Sequence, residues 1–438
     1  MSSATFMNMR VDHAEQFKAH ISEPNQNTSI YLTYGKTSAW ANDASPDVPT
    51  SSVATQHQIW QQMIGGKRIR GGDISHVIPR INWTANTVYD AYDHATGSLY
   101  DQDFYVLTSD FNVYKCLSNN YSANSTVEPS AINPASITQT ADGYVWKYMF
   151  TVSDAEQLRF TTDAYIPVKT ILANDGSLQW QVQDQAIDGA IYSILLTNNG
   201  SGYTNVSNLV ITITGDGSSA TATGNINVTS QTVTSITMTD YGTGYTNATV
   251  TISGGGGTGA NARAIISPFG GHGSNPVYEL GAAYLMFNPQ LETTEEAYFP
   301  ATNDYRQIAL IEAPKIKGTS NTATNTRFLQ AYTITTLGSG EYEQDEIVYQ
   351  GASQAAATFS ARMLSWDSSN GIAVVINTSG TPGSQALIGA NTSTSRYVSE
   401  FVDKELQQAS GQILYVNNIK PITRSADQTE DFKIVMKF

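Results

Sequence analysis

Apolar positions along the 438-residue chain alternate with polar ones in short runs far more often than they recur at helical spacing, which predicts a chain built mainly of strands. Two helices are expected near the start. One covers residues 9–21, and the other covers 54–64, where Ile59, Trp60, Met63 and Ile64 gather on one side and Gly65-Gly66 supplies a stop. Between them, Ile30, Leu32 and Tyr34 line one face of a strand that ends at Gly35. Residues 111–117 and 145–150 alternate as well, the second run placing Trp146, Tyr148 and Phe150 on one face. Near the C-terminus, Phe432, Ile434, Met436 and Phe438 alternate with Lys433, Val435 and Lys437, the pattern of a strand with one buried face.

The middle of the chain repeats itself. Gly200-Ser201-Gly202-Tyr203-Thr204-Asn205 returns 42 residues later as Gly242-Thr243-Gly244-Tyr245-Thr246-Asn247. Ile194 and Leu196 before the first copy match Ile236 and Met238 before the second, and Ile211 and Ile213 after it match Val250 and Ile252. Each unit reads as strand, Gly-Tyr turn, strand. Neither holds enough apolar residues to bury a face alone, so the two are expected to pack as one small β module over residues 188–268. A second all-β module is expected over 337–398, where Asp367-Ser368-Ser369-Asn370-Gly371 offers the turn of a hairpin. The organisation that follows is a core segment at 1–187, the repeat module at 188–268, a core continuation at 269–336, the second module at 337–398 and C-terminal core strands at 399–438.

Composition narrows the function more than the fold. Charged residues are 14% of the chain, well below the roughly 25% of an average globular protein, and Ser, Thr, Asn, Gln and 34 Gly supply the polarity instead. The net charge of −15 repels phosphate backbones and anionic membrane, which argues against a nucleic-acid or membrane-surface partner. Cys116 has no second cysteine to pair with and reads as a small buried hydrophobe in a chain made in a reducing compartment. The first residues show no basic segment followed by an apolar run, so no export signal is expected. The longest apolar stretches also fall far short of the about 18 residues of a membrane span.

The chemistry-bearing patterns do not converge. Gly35-Lys36-Thr37 resembles the end of a phosphate loop, but the earlier glycine that such a loop needs is Ile30. Gly254-Gly255-Gly256-Gly257 and Gly270-Gly271-His272-Gly273 lack the strand, helix and acidic partner of a dinucleotide site and read as connectors. His13, His20, His57, His76, His94 and His272 show no metal-ligand spacing. Glu292, Glu295 and Glu296 sit in one acidic segment, which suits a solvated turn better than carboxylates facing each other across a sugar cleft. Lys67, Arg68 and Arg70 form the densest basic patch and read as a solvated face. No catalytic, cofactor-binding or metal residue is therefore assigned, and neither an enzyme nor a small-molecule substrate is expected.

Several segments together resemble a known family, the gene product 8 baseplate wedge proteins of T-even contractile-tail phages. They are, in order, Asn27-Thr28-Ser29-Ile30-Tyr31-Leu32-Thr33-Tyr34-Gly35-Lys36 with Trp40, then Trp60, Met63 and Gly65, and then Val77-Ile78-Pro79-Arg80 with Trp83. Val113-Tyr114-Lys115-Cys116-Leu117, Thr126-Val127-Glu128-Pro129 and Asp142-Gly143-Tyr144-Val145-Trp146-Lys147-Tyr148 continue the series. It resumes at Tyr298-Phe299-Pro300 and Tyr305-Arg306-Gln307-Ile308, and closes with Ile413-Leu414-Tyr415-Val416-Asn417-Asn418, Pro421-Ile422 and Asp427-Gln428-Thr429-Glu430. The resemblance implies a mainly β protomer with a β-sandwich core, to which the sequence pattern adds a few short helices and the two inserted modules, which depart from the family. It also implies a homodimer placed in the tail baseplate of a virion beside other wedge proteins, assembled in the host cytoplasm. The competing reading is a receptor-binding or tail-fibre protein whose Gly-Tyr repeats bind host glycans.

Overall fold

The structure, a computed structural model, describes residues 5–22, 29–291, 304–422 and 430–438. It is mainly β, with several antiparallel sheets and few short helices, an arrangement consistent with a β-sandwich. The chain divides into two compact units. One comprises residues 1–15, 75–286 and 435–438, and the other 16–74 and 287–434.

In the first unit, a four-stranded sheet orders Tyr105–Leu107, Asn112–Ser118, Val145–Thr151 and Thr138–Gln139. Its two faces bury different cores. Tyr114, Cys116, Trp146 and Tyr148 pack on one side with Tyr89 and Tyr144, where the Tyr144 and Trp146 rings stack at 5.4 Å. Val113, Leu117, Met149 and Phe150 face the other side with Phe104, Tyr105 and Val277. Simple alternation put Phe150 with Trp146 and Tyr148, but the pairing slips between Val113 and Tyr114. That bulge leaves Met149 and Phe150 both in the second core.

The repeat lies in the same unit. Ile191–Ser201, Val210–Gly215, Ala248–Ser253 and Thr258–Ile266 make a four-stranded sheet, and Thr221–Asn227 pairs with Thr232–Asp240 as a hairpin. Tyr203 and Tyr245, the equivalent tyrosines, are buried in two adjacent clusters that share Ile236. Each ring lies flat against glycine backbone. A Cβ on Gly257 would stand 2.5 Å from Cγ of Tyr203, and one on Gly217 would stand 2.5 Å from Cγ of Tyr245. The glycines therefore seat the tyrosines as well as form turns. Ala190, Tyr192 and Ile265, at the base of this sheet, belong to the main core of the unit.

In the second unit, a five-stranded sheet runs in the order Arg327–Leu329, Met63–Arg68, Ile30–Gly35, Tyr305–Glu312, Gln412–Ile422. Ile30–Gly35 is central and buried along its whole length, on both faces. Besides the expected face of Ile30, Leu32 and Tyr34, it buries Tyr31 and Thr33 on the second face, and Tyr31 packs edge-on to Phe328 at 5.2 Å. The second helix, Val53–Gln62, is capped by Ser52, whose hydroxyl accepts from the Thr55 N–H at 3.1 Å, and it passes directly into the Met63–Arg68 strand. Gly65 and Gly66 thus lie within a strand. A Cβ on Gly66 would come 2.6 Å from the Phe328 ring, so the missing side chain makes room for that ring.

Downstream, six strands close into a barrel in the order Tyr332–Leu337, Ile372–Ser379, Phe359–Asp367, Ile347–Gln350, Ala386–Gly389, Ser395–Val402. Closure removes sheet edges. Ile334, Val348, Phe359, Met363, Val375 and Leu387 fill the interior. The Asp367–Gly371 turn forms as its residues suggest, with an Asp367 carboxylate oxygen accepting from the Ser369 and Asn370 N–H groups and Gly371 at φ 68°. The C-terminal strand is Ile434–Lys437, with Phe432 and Ile434 buried and Lys437 exposed.

Candidate functional site

The densest group of titratable side chains sits inside the first unit and was not foreseen from the sequence. Lys115 lies between Val113 and Leu117 on the core-facing side of its strand, opposite Lys147 on the neighbouring strand. Its Nζ donates to Oε1 of Glu279 at 2.6 Å and lies 2.9 Å from Nδ1 of His272 and 3.5 Å from the centre of the Tyr92 ring. Glu279, at the end of the Pro276–Glu279 helical turn, also accepts from the Gly273 N–H through Oε2 at 2.6 Å. His272 Nδ1 is 3.2 Å from Glu279 Oε1. Lys147 donates to the carbonyl of Pro134 at 2.6 Å.

Burial dominates the electrostatics. Loss of water lowers Lys115 to about 8 even though Glu279 pulls the other way. Burial and the adjacent Lys115 lower His272 to about 4, so the ring is neutral at pH 7. Burial works to raise Glu279, but Lys115 and His272 outweigh it and hold the carboxyl at about 2. The cluster is thus one ion pair with a neutral imidazole beside it. The three side chains are at most 3% exposed, which leaves no path for a substrate. The arrangement ties the sheet to the 272–279 segment and is structural.

Most of the described residues singled out from the sequence are engaged within the fold, while His13 and His57 are exposed. Lys36 stands in a turn at φ 60°, its Nζ 4.1 Å from the Trp40 ring, and the Thr37 carbonyl accepts from Arg306 at 2.6 Å, so no phosphate loop forms. Lys67 donates to the Gln290 carbonyl, Arg68 to that of Thr324 and Arg70 to the Thr326 hydroxyl, which secures the basic patch to its own unit. His20 contacts Glu312 at 2.7 Å, His76 the Ala282 carbonyl at 3.1 Å, and His94 accepts from the Ile266 N–H. Cys116 is fully buried, and burial pushes its thiol well up. Glu292, Glu295, Glu296 and the 298–300 and 427–429 segments lie outside the described residues. Among the described residues no group of three or more His, Cys, Asp or Glu is placed to hold a metal, and no helix is long and apolar enough to cross a membrane.

What remains outward is surface. On the barrel exterior, Leu337 and Tyr397 pair across neighbouring strands, 62% and 68% exposed. The repeat tyrosines offer nothing similar, since both are in the core.

Comparison with known proteins gives two matches. Residues 3–121 match the family model for gp8 of bacteriophage T4. Over that segment the chain is similar to gp8. It is 25% identical over 217 residues to the baseplate wedge protein gp8 of Enterobacteria phage T4, an alignment covering 40% of this chain and 64% of that protein. The chain therefore spans a little under two thirds of the length of the curated relative that it matches. Within residues 3–121, the residues that carry the likeness are mostly core. Tyr31, Trp60 and Met63 fill one cluster, while Val77, Ile78, Val113, Tyr114, Cys116 and Leu117 are buried in the other unit. The repeat and the barrel lie beyond the family match.

Proposed function

We propose that this gp8-like chain is a non-catalytic structural subunit of a contractile phage tail, located in the baseplate wedge and working by binding neighbouring wedge proteins. The observation that carries the reading is the match of residues 3–121 to the gp8 family, together with the alignment to a protein named as a baseplate wedge component. The buried, substrate-inaccessible state of the Lys115, His272 and Glu279 group supports a structural rather than an enzymatic role. The subunit acts as a homodimer, is assembled in the host cytoplasm and ends in the virion. Segments 1–187, 269–336 and 399–438 form the wedge core, and 188–268 and 337–398 are modules inserted into it. A glycan-binding fibre role is disfavoured, because Tyr203 and Tyr245 are buried and cannot stack on a sugar.

The chain has few charges, and Leu337 and Tyr397 form an exposed apolar pair on the barrel, so association should depend on apolar and polar contact more than on net charge. Size-exclusion chromatography with light scattering, on the chain alone and mixed with the other wedge proteins of the same phage, tests this. The expected result is a dimer that enters a larger complex and persists from about 0.05 to about 0.5 M salt. A monomer at micromolar concentration that passes through the mixture unchanged would refute the proposal.

A further inference from the structure

In the second unit, segment 403–406 runs beside Leu329 and encloses a cavity of about 540 Å³ with the loop that follows the Tyr305–Glu312 strand. Backbone hydrogen bonds hold its walls. The Glu405 N–H donates to the Leu329 carbonyl, the Lys317 N–H to that of Glu405 at 2.9 Å, and the Gln407 N–H to that of Lys315 at 2.8 Å. The Gln330 side chain holds Leu406 from both sides, donating to its carbonyl and accepting from its N–H, each at 3.2 Å. The site is therefore built before anything enters it. Ile316, Ala323, Phe328 and Leu406 give it apolar lining, and Lys317, Asp403, Lys404 and Glu405 bring charge.

Three of those four charges are already engaged. Lys317 is ion-paired with Asp403, and Oε1 of Glu405 accepts from the Leu329 N–H at 3.2 Å. Lys404 is the exception. It is 7% exposed, and its ammonium has no hydrogen bond or ion pair with a described residue, only the Tyr332 ring centre at 5.4 Å. Burial, reinforced by Lys317, lowers its pKa to about 8, so it is still mainly charged at pH 7. Asp403 pulls the other way but is itself paired with Lys317, so the nearly buried ammonium lacks a direct anionic contact, a cost that an incoming anion would offset. Ile316, Ala323, Phe328 and Leu406 in the same lining suit an anion carried next to an apolar group, as a peptide side chain presents it.

We infer that this cavity binds a side-chain carboxylate flanked by an apolar residue, presented by a peptide segment of a neighbouring wedge protein, with Lys404 as its cationic contact. The identity of that neighbour rests on the proposed baseplate role; the chemistry of the site does not. The test titrates the full chain with acetyl-Leu-Glu-amide, with acetyl-Leu-Gln bearing a free terminal carboxylate, and with neutral acetyl-Leu-Gln-amide, following the Lys404 side chain by NMR in 13C-lysine-labelled protein. The side-chain carboxylate probe should bind saturably and raise the Lys404 titration midpoint by about one pH unit, a tenfold shift in its protonation equilibrium. Lys404→Met should weaken that binding at least about tenfold while its unfolding midpoint stays at or above that of the native chain, because a buried charge is gone. Lys404→Gln serves if the methionine variant does not fold. No saturable binding up to about 10 mM, equal binding of the neutral probe, or binding unchanged in the variant would overturn the inference. Binding of the free-terminus probe alone would overturn the side-chain assignment. These probes need no wedge protein, so a failure of co-assembly would count against the proposed function and not against the site.

Discussion

Replacing Glu279 by Gln keeps the shape of the buried cluster and removes its only anion. Lys115 Nζ, fully buried, would then face an amide, the neutral His272 ring and Tyr92. Removing one partner of a buried ion pair costs about 3 to 5 kcal/mol. For a unit of this size, each kcal/mol corresponds to roughly 2 to 4 °C, so Glu279→Gln should lower the first unfolding transition by about 6 to 20 °C. The pH dependence gives an independent check. Glu279 is held at about 2 against an ordinary 4.5, so its contribution is present above about pH 4.5 and is lost as pH falls towards 2. The variant should lack that part of the acid loss. Lys115 is depressed to about 8, so its protonated form is destabilising and native stability should rise between about pH 8 and 10.5. In the variant that rise should begin at lower pH. Calorimetry of both proteins from pH 2 to 10, with Lys115→Met/Glu279→Gln completing a double-mutant cycle, measures all of this. A Glu279→Gln loss below about 1 kcal/mol at pH 7, or an unchanged acid limb, would show that the pair does not hold the unit together.

Two further predictions concern the repeat. Gly217→Ala places a Cβ 2.5 Å from the Tyr245 ring and should destabilise by about 1 to 3 kcal/mol, read as a lower midpoint in urea, whereas Gly72→Ala, with open space around it, should be nearly silent. Arg263 pairs with Leu195 across neighbouring strands, so residues 196–262 can be replaced by a short glycine linker that leaves Tyr192 and Ile265 in the main core. That deletion should remain soluble and unfold cooperatively, whereas cutting at 188 and 268 should not, because it strips the core of Ala190, Tyr192 and Ile265.

The sequence made strands, repeat and helices legible because each has a local period. Met7–Ser22 and Val53–Gln62 lie close to the expected 9–21 and 54–64, and the repeat tyrosines occupy equivalent buried places. It failed where an assignment depended on distant partners. The two buried faces of Ile30–Gly35 follow from its central place in a sheet whose other strands are remote in sequence. Phe150 changed face because of a bulge that no alternation rule reveals. Lys115, His272 and Glu279 are brought together by folding over more than 150 residues, and the only local hint was a lysine at an inward position of two apolar strands, at 115 and again at 147. Lys404 gave no hint at all, since its burial depends on Tyr332 and the 316–325 loop.

The central claim, that the chain is a wedge subunit acting through its neighbours, is tested most directly by electron cryomicroscopy of the parent phage tail at a resolution that traces side chains. The account predicts paired copies of this fold in the baseplate, each in contact with other wedge proteins, with density for an acidic side chain of a neighbour beside Lys404. Single copies at a fibre tip, or a tail that lacks the chain, would contradict it.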